Sequence, residues 1–344
     1  MSNRPWRLVA VFMTLLMPVV AAGCGGEEEG GGGAAGGGGG GKIALVAYST
    51  PQEVYTDHLI PAYQKSATGK GTEFTTSFAG SGDQRRAILA GLPFDYVHFN
   101  LEPDMKYLED DGLIPPTYRD DEFKGSPQQS VVVIATRPGN PLKIKTWDDI
   151  LTKDIEIINA NPFTSGGARW NVMAVYGQVI KAGGTEEEAL AAVRALLERV
   201  PTYPASARDA LNEFLGGKGD VALQYENEAI QAQIAGEDIE YVVPDATIKI
   251  DTLAAVATES ENADGAKAFY DWLHTDEAQR IWGENGYRPV VESILSEFKD
   301  NFPAPPDLFT IEELGGWDKV MTDFFDPDNG KIAAIQKDLG APIQ

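Results

Sequence analysis

The sequence predicts an α/β fold of two lobes, each a mostly parallel sheet flanked by helices. Short β-branched runs alternate with segments whose apolar residues recur at helical spacing, which is the pattern of strands joined by crossover helices. The chain has 344 residues, enough for two domains of ordinary size. Small hydroxyl residues also stand repeatedly between a strand and the helix that follows it.

The first 23 residues predict a secretory signal. Arg4 and Arg7 precede an apolar run over residues 8–20 that is short for a membrane span. Small residues at positions 21–23 then lead into Cys24, and this ending resembles the lipobox of bacterial lipoproteins, in which the cysteine becomes the lipidated first residue. The alternative is an ordinary signal peptide cut nearby, which would leave Cys24 as a free thiol. A single cysteine excludes a disulfide within the chain.

The glycine content, the net charge and the few histidines exclude several kinds of partner and cofactor. Residues 25–41 are mostly glycine and predict a flexible tether, because they cannot bury apolar area. The formal net charge of −24 repels polyanions, so we expect no nucleic-acid partner and no adhesion to an anionic membrane surface. The three histidines, His58, His98 and His274, are scattered along the chain, so we expect no metal and no cofactor.

The first lobe is predicted to begin with three strand–helix units. The strands are expected over residues 43–48, 72–78 and 96–100. Ser49 precedes Pro51, a residue suited to the first helical position, and we expect Pro61 to kink or end this helix. Ser81, with Gln84 three positions later, forms a capping-box pattern at the start of the next helix.

The second lobe is predicted to begin where a β-branched run, residues 131–134, crosses into it. Residues 253–256 are expected to return to the first lobe. Further strands are expected over residues 155–159, 221–225 and 239–243. Thr185 and Ser206 each stand three positions before an acidic residue, so each should cap a helix.

These elements divide the chain into a signal peptide, a lipid-anchored tether and two lobes. The predicted bounds are 1–23 for the signal, 24–41 for the tether, 42–129 with 248–344 for lobe 1, and 130–247 for lobe 2. Residues 264–344 are expected to be largely helical, and it is left open whether residues 318–344 dock on the lobes or stay partly loose.

Residues 161–170, Asn-Pro-Phe-Thr-Ser-Gly-Gly-Ala-Arg-Trp, join a short strand to an apolar-periodic helix. Backbone N–H groups at such a helix start have no partner within the helix, and the helix dipole adds partial positive charge, so the junction can hold an anion. The alternative is a serine cap with glycines for a tight turn. Ser49, Ser81 and Ser206 mark three similar junctions, and two junctions in each lobe would converge on a cleft between them.

Several motifs resemble the sulfate-binding proteins of bacterial ABC importers. They are residues 79–82 (Ala-Gly-Ser-Gly), 165–170 (Ser-Gly-Gly-Ala-Arg-Trp), 225–229 (Tyr-Glu-Asn-Glu-Ala), 287–289 (Tyr-Arg-Pro) and 308–311 (Leu-Phe-Thr-Ile) with 315–317 (Gly-Gly-Trp). The likeness runs from about residue 42 to the C-terminal region. It implies the type II periplasmic-binding-protein fold, with two α/β lobes joined by hinge strands, and a desolvated sulfate held by neutral donors.

The resemblance also implies roles for individual residues. Backbone N–H donors would be Ser81, Gly166, Gly167 and Ala207, and Ser165 would give its hydroxyl. Arg169 and Arg208 would orient the junctions without touching the anion. The protein would be an exported, monomeric, non-enzymatic receptor, held at the membrane by a lipid on Cys24, that hands sulfate or thiosulfate to an ABC permease.

Two positions depart from the family pattern. Ser49 stands where sulfate binders usually have aspartate, and Tyr225 stands where they have a tryptophan whose indole N–H reaches the anion. Related molybdate and tungstate binders use a serine and a tyrosine hydroxyl at these places. A molybdate or tungstate receptor of the same fold is therefore the alternative, and Ser49 and Tyr225 are candidate ligand residues in both cases.

Protonation separates sulfate from phosphate. Sulfate is fully ionised at neutral pH and needs only donors, whereas phosphate keeps a proton that requires an acceptor. We expect Asp83 and Asp209 to serve the helix dipole or an arginine, and Glu226 and Glu228 to form a solvated or arginine-paired edge, which makes phosphate the lesser candidate. An exported ester hydrolase using Ser165 would lack a histidine partner, a metal cluster and a nucleophile elbow, so we expect no enzyme.

Overall fold

The computed structural model describes residues 40–343. Its strands are β1 (Gly41–Tyr48), β2 (Thr72–Ala79), β3 (Tyr96–Phe99), β4 (Gln129–Thr136), β5 (Ile157–Ile158), β6 (Val221–Tyr225), β7 (Glu240–Val242), β8 (Ala246–Asp251), β9 (Leu253–Val256) and β10 (Asp307–Phe309). The predicted signal peptide, Cys24 and nearly all of the tether lie outside the described residues.

Helices connect most of these strands. They are α1 (Ile60–Lys65), α2 (Ser81–Leu89), α3 (Glu102–Asp110), α4 (Trp147–Thr152), α5 (Gly166–Lys181), α6 (Glu186–Leu197), α7 (Ala207–Leu215), α8 (Glu226–Ile234), α9 (Ala263–Leu273), α10 (Asp276–Glu284), α11 (Glu292–Glu297), α12 (Gly316–Val320) and α13 (Lys331–Asp338). Within residues 40–343, none of them has the length and apolar content needed to cross a membrane.

The first sheet has the strand order β2-β1-β3-β9. Strand β1 runs parallel to β2 and β3, and β9 runs antiparallel to β3. The three predicted strands are confirmed, and residues 253–256 return to this sheet as expected. Because the carboxyl ends of parallel strands meet at one edge, the residues that follow β1, β2 and β3 are brought together there.

The second sheet has the order β10-β8-β4-β6-β5, with β7 also paired to β4. Strand β4 is antiparallel to β6, β7 and β8, whereas β5 is parallel to β6 and β10 is parallel to β8. The α/β class is confirmed, but this sheet is mixed rather than mostly parallel. Strand β4 brings the chain into this sheet from the first one, and β8 takes it back. The two strands are antiparallel, and Gln129 pairs with Asp251 where the chain passes between the sheets.

The C-terminal segment packs differently from our expectation, which placed residues 248–344 in lobe 1. Strand β8 lies in the second sheet, where β10 pairs with it. Trp317, Phe324 and Ile332 share one buried core with residues of α5 and β8. By contrast, Phe269 and Trp282 pack in the core of the first sheet. The chain therefore crosses back to the second sheet near residue 307, and its last helices dock there because their apolar side chains are buried.

Of the two outcomes expected at Pro61, a kink or an end of the helix, the end does not occur. A π-helical stretch, Val54–Leu59, leads directly into α1, and Pro61 is the second residue of α1. The helix continues to Lys65. Pro61 therefore marks a change of helix type, with the wider turns placed before the residue that lacks an N–H.

A buried polar network joins the first sheet to the crossing strands. The side-chain amide of Gln128 donates to Tyr48 Oη and to Thr252 Oγ1, each at 2.9 Å. Thr252 Oγ1 lies 2.8 Å from His98 Nε2, and Tyr55 Oη lies 2.9 Å from His98 Nδ1. Burial lowers the pKa of His98 to about 3, so the ring is neutral at physiological pH. His98 is therefore a buried core residue.

Candidate functional site

A cavity of about 310 Å³ lies where the strand–helix junctions of the two sheets meet. Its lining comes from five short stretches of chain: residues 48–50, 79–81 with 83, 100, 164–166 and 205–209. The predicted ligand residues in this lining are Ser49, Ser81, Ser165, Gly166 and Ala207, and Arg208, predicted to orient a junction, lines it as well. The four junctions singled out in the sequence therefore surround one cavity.

Helix α2 presents its first turn to the cavity. The N–H of Gln84 makes a helical hydrogen bond, to Gly80 O at 2.9 Å, so the N–H groups of Ser81 and Gly82 precede the bonded part of the helix. The hydroxyl of Ser81 is engaged elsewhere: it donates to Asn100 Oδ1 at 2.6 Å and accepts from the Asn100 N–H at 3.2 Å. Ser81 can thus offer its backbone N–H rather than its hydroxyl.

Helix α5 begins with Ser165 as its N-cap. Ser165 Oγ accepts from the N–H of Ala168 at 3.4 Å, which leaves the N–H groups of Gly166 and Gly167 ahead of the bonded part of the helix. A Cβ atom on Gly166 would lie 2.5 Å from Asn100 Oδ1. Glycine is required here because the chain from the other sheet approaches so closely.

Helix α7 begins in the same way. Ser206 Oγ accepts from the N–H of Asp209 at 3.1 Å and donates to Asp209 Oδ2 at 2.7 Å. The N–H groups of Ala207 and Arg208 therefore precede the bonded turns. The start of a helix carries partial positive charge, and three such starts face this cavity.

Gly167 and Tyr225 are not in the cavity lining, unlike the other predicted ligand residues. A Cβ atom on Gly167 would lie 3.1 Å from Ala207 Cβ and 3.6 Å from Tyr225 Cε1. Tyr225 is 1% exposed, and its hydroxyl accepts from Asn100 Nδ2 at 3.3 Å. Both residues lie just beneath the lining. Burial raises the pKa of Tyr225 well above its usual value, so the hydroxyl keeps its proton.

Arg208 links the two sides of the cavity. Its guanidinium donates to both carboxylate oxygens of Glu53, at 2.8 and 3.1 Å, and to Thr50 O at 3.2 Å. Arg169 Nε donates to Pro162 O at 2.7 Å, within the junction that precedes α5. Both arginines thus contact the junctions themselves, and the expectation that they leave the anion untouched stays a prediction.

Glu226 and Glu228 correct one expectation, since neither forms a solvated edge. Glu226 is fully buried and paired with Arg288, at 2.6 and 3.0 Å, so the arginine-paired alternative holds for it. Glu228 is 1% exposed, accepts from Thr50 Oγ1 at 3.4 Å and lies 3.8 Å from Arg208 Nε. Burial raises the pKa of Glu228 to about 7.

Two carboxylates in the lining are engaged by their own helices. Asp83 forms an ion pair with Arg86, and Asp209 accepts from Ser206. These contacts agree with the expected role of the two residues at helix starts. In the described part of the chain, residues 40–343, no group of histidine, cysteine or acidic side chains is arranged to hold a metal ion.

Asn100 is a residue of the site that no sequence motif indicated. It lines the cavity, and its backbone carbonyl accepts from the indole N–H of Trp170 at 2.8 Å. We had expected it to be the last residue of a strand, but β3 ends at Phe99. Asn100 therefore stands just past the carboxyl end of a parallel strand, the position where ligands bind in such sheets, and that signal could have identified it.

The fold and the cavity together are typical of a solute-binding protein built from two β-sheets flanked by helices. The family model for bacterial extracellular solute-binding proteins matches residues 43–288. The sulfate-binding protein of Synechocystis sp. is 37% identical over 83% of this chain and 83% of its own length. The thiosulfate-binding protein of Pseudomonas aeruginosa is 32% identical over 81% of this chain and 88% of its own length.

A solved structure supports the same assignment. The sulfate-binding protein SubI from Mycobacterium tuberculosis matches with a TM-score of 0.80 and 39% identity, over 83% of this chain and 99% of that chain. Molybdate and molybdenum transporter proteins match at 16–18% identity, which shows the fold alone. The chain belongs to the sulfate-binding proteins, within the bacterial extracellular solute-binding family.

Proposed function

We propose that this protein captures sulfate in the 310 Å³ cavity and delivers it to the permease of an ABC importer. The observation that carries the proposal is the convergence of three helix starts, from both sheets, on one cavity. Hydrogen bonds to a charged partner are worth about 1.5 to 3 kcal/mol each. Roughly six or seven of them would offset the cost of association and closure and allow micromolar or tighter binding, about −8 kcal/mol.

The donors in this proposal are mostly backbone groups. Ser81, Gly166, Gly167 and Ala207 give N–H groups, and Ser165 and Ser49 give hydroxyls. Tyr225 lies beneath the lining, where its hydroxyl accepts from Asn100 Nδ2. Arg169 and Arg208 hold the junctions in place. Asp83 pairs with Arg86 and Asp209 accepts from Ser206, so both lining carboxylates have a partner in the structure.

Thiosulfate is a second ligand that the comparisons favour, because a thiosulfate-binding relative matches over most of the chain. Molybdate has weaker support, resting on Ser49 and Tyr225 alone. Both anions offer terminal oxygens to the same N–H groups. We propose no catalytic step, since the protein would bind and release its ligand unchanged.

The predicted signal sequence and Cys24 suggest where in the cell the protein acts. We propose that the protein is exported as a monomer and anchored to the membrane by a lipid on Cys24, with residues 25–41 as a tether. Sulfate captured near the membrane would then stay close to the permease. The support for this part of the proposal is the signal sequence and the single cysteine that follows it.

Calorimetry tests the ligand. The full chain, purified in a non-ionic detergent, is titrated with sulfate, thiosulfate, molybdate and phosphate. We expect a sulfate Kd in the micromolar range or below, and weaker binding of molybdate and phosphate. Tighter binding of molybdate would transfer the proposal to that anion, and failure of all four anions to bind would refute it.

A proline substitution tests the site. Ala207→Pro removes one backbone N–H at the first position of α7, where proline fits a helix well. We expect a loss of sulfate affinity of about 10- to 100-fold, the value of one hydrogen bond to a charged group. Glu186→Pro is the matched control, because Glu186 is the first residue of α6 and lies outside the cavity lining. Equal affinity in the two variants would overturn the site assignment.

A further inference from the structure

Asn100 lines the cavity and joins the two halves of the structure, because its side chain and its backbone both make hydrogen bonds to residues beyond the first sheet. It is 7% exposed and follows directly on β3 of the first sheet. Its backbone carbonyl accepts from Trp170 in α5, and its side chain reaches Tyr225 at the end of β6. Gly166 leaves room for it, since a Cβ atom there would lie 2.5 Å from Asn100 Oδ1.

The orientation of the Asn100 amide follows from its partners. Ser81 Oγ accepts the backbone N–H of Asn100 at 3.2 Å, and its other contact, with the amide group, is 2.6 Å long. That length is typical of an O–H···O bond and shorter than the usual N–H···O bond, so the hydroxyl donates there and the accepting atom is the oxygen, Oδ1. The nitrogen, Nδ2, then donates one of its two hydrogens to Tyr225 Oη at 3.3 Å. The second hydrogen of Nδ2 has no assigned partner among the described residues.

In this arrangement the Asn100 amide, which could either donate or accept hydrogen bonds, can only donate one to a ligand. An asparagine amide normally offers both an acceptor and two N–H hydrogens. Here the acceptor is held by Ser81 on the side away from Tyr225, and Asn100 lines the cavity. Tyr225 lies outside the lining, and its hydroxyl accepts a hydrogen bond from Asn100 Nδ2.

We propose that Asn100 binds the oxyanion through its second amide N–H and selects an unprotonated anion, with Ser81 hiding its oxygen and Tyr225 fixing its nitrogen. This inference rests on the proposed function and names a determinant of its specificity. Tyr225, in this arrangement, acts as a positioning residue behind Asn100. A ligand that keeps a proton, such as hydrogenphosphate, would find no acceptor in Asn100.

The decisive variant is Asn100→Asp, which has nearly the same shape but replaces the N–H donor with a charged acceptor. Wild type and variant are titrated with sulfate and with phosphate at pH 8, as full chains in the same detergent. We expect sulfate affinity to fall by about 100-fold or more, since a charge-assisted hydrogen bond is lost and a buried repulsion is added. Phosphate affinity should fall far less, so the sulfate-to-phosphate ratio should fall at least tenfold.

The ratio separates a binding role from a structural one, because a general loss of packing would weaken both anions alike. Ser81→Ala supplies a second approach that leaves Asn100 unchanged: it frees the Asn100 oxygen and should also lower the ratio. Ser77→Ala is its control, since Ser77 contacts Gln84 rather than Asn100. Thermal melts of each variant identify any that fail to fold.

The outcomes are distinct. Wild-type protein that binds no sulfate would overturn the proposed function and this inference together. Wild-type protein that binds sulfate, with an unchanged ratio in both Asn100→Asp and Ser81→Ala, would leave the proposed function standing and overturn the role of Asn100. If Asn100→Asp does not fold, the ratio measured for Ser81→Ala decides.

Discussion

Glu228 is the carboxyl group whose protonation the structure perturbs beside the proposed site. It is buried, close to Arg208 and Thr50, and burial raises its pKa to about 7. A carboxyl with a raised pKa in the folded protein binds more protons there than in the unfolded chain. Its contribution to stability is therefore present at acid pH and is lost as the pH rises through 7.

Replacing Glu228 should flatten this part of the pH profile. Between pH 5 and pH 8 we expect the free energy of unfolding of wild type to fall by about 2 to 3 kcal/mol more than that of Glu228→Gln. Urea unfolding at four pH values measures the difference. Glu237→Gln is the control, because Glu237 is exposed and lies just past the other end of α8. Parallel profiles for wild type and Glu228→Gln would contradict the prediction.

Individual site residues differed in how far sequence could predict them. Ser165 and Ser206 were found because a cap contacts residues two or three positions away, so the signal is local. The capping box predicted for Ser81 and Gln84 is wrong, because Gly80 is the N-cap of α2, Ser81 Oγ bonds to Asn100 and Gln84 bonds to Ser77. Asn100 and Glu228 were missed or misread because their environment comes from residues far away in the chain, such as Trp170 and Arg208. No local pattern reports such contacts.

Helix starts serve both stability and binding, and these two roles can be separated. Ser165 caps α5 at the cavity, and Thr185 caps α6 away from it. Ser165→Ala and Thr185→Ala should each lower the free energy of unfolding by about 1 kcal/mol, the usual value of a cap. Only Ser165→Ala should also weaken sulfate binding, by about tenfold, since a donor to the anion is lost.

Chemical denaturation and calorimetry on the same samples measure both effects. A loss of sulfate affinity in Thr185→Ala as large as that in Ser165→Ala would show that affinity follows stability. In that case the Ser165 hydroxyl would act as a cap alone.

Most elements could be predicted from the sequence, but their partners could not. The strands predicted over residues 72–78 and 221–225 were placed to within one residue, since the structure has them at Thr72–Ala79 and Val221–Tyr225. The three-residue strand β10 was not foreseen, and its pairing with β8 depends on how Trp317 and Phe324 are buried. Periodicity shows that a helix has an apolar face, but does not say which sheet will cover that face.

At the scale of the whole molecule, charge should control how fast the ligand arrives. The net charge of −24 repels a dianion at distances beyond the cavity, where local donors do not act. Raising NaCl from 10 to 150 mM shortens the screening length from about 30 to 8 Å. We expect the association rate for sulfate to rise by about two- to tenfold over this range.

Stopped-flow mixing at constant sulfate and varied NaCl measures that rate. Chloride is a suitable counter-ion because it is monovalent, and choline chloride serves as the control for an effect specific to sodium. A rate that falls with added salt would show that the helix starts, rather than the acidic surface, govern the approach of the anion.

The bond between Trp170 and Asn100 has a practical consequence. The indole is 1% exposed, donates to the carbonyl of Asn100 at 2.8 Å, and lies edge-on to Trp317 with ring centroids 4.7 Å apart. An opening that separates the end of β3 from α5 breaks this bond and brings water to the indole. The chain thus carries a fluorophore hydrogen-bonded to a residue of the cavity lining, and the emission colour of Trp170, isolated by replacing the other five tryptophans with phenylalanine, can report the open fraction without an attached dye.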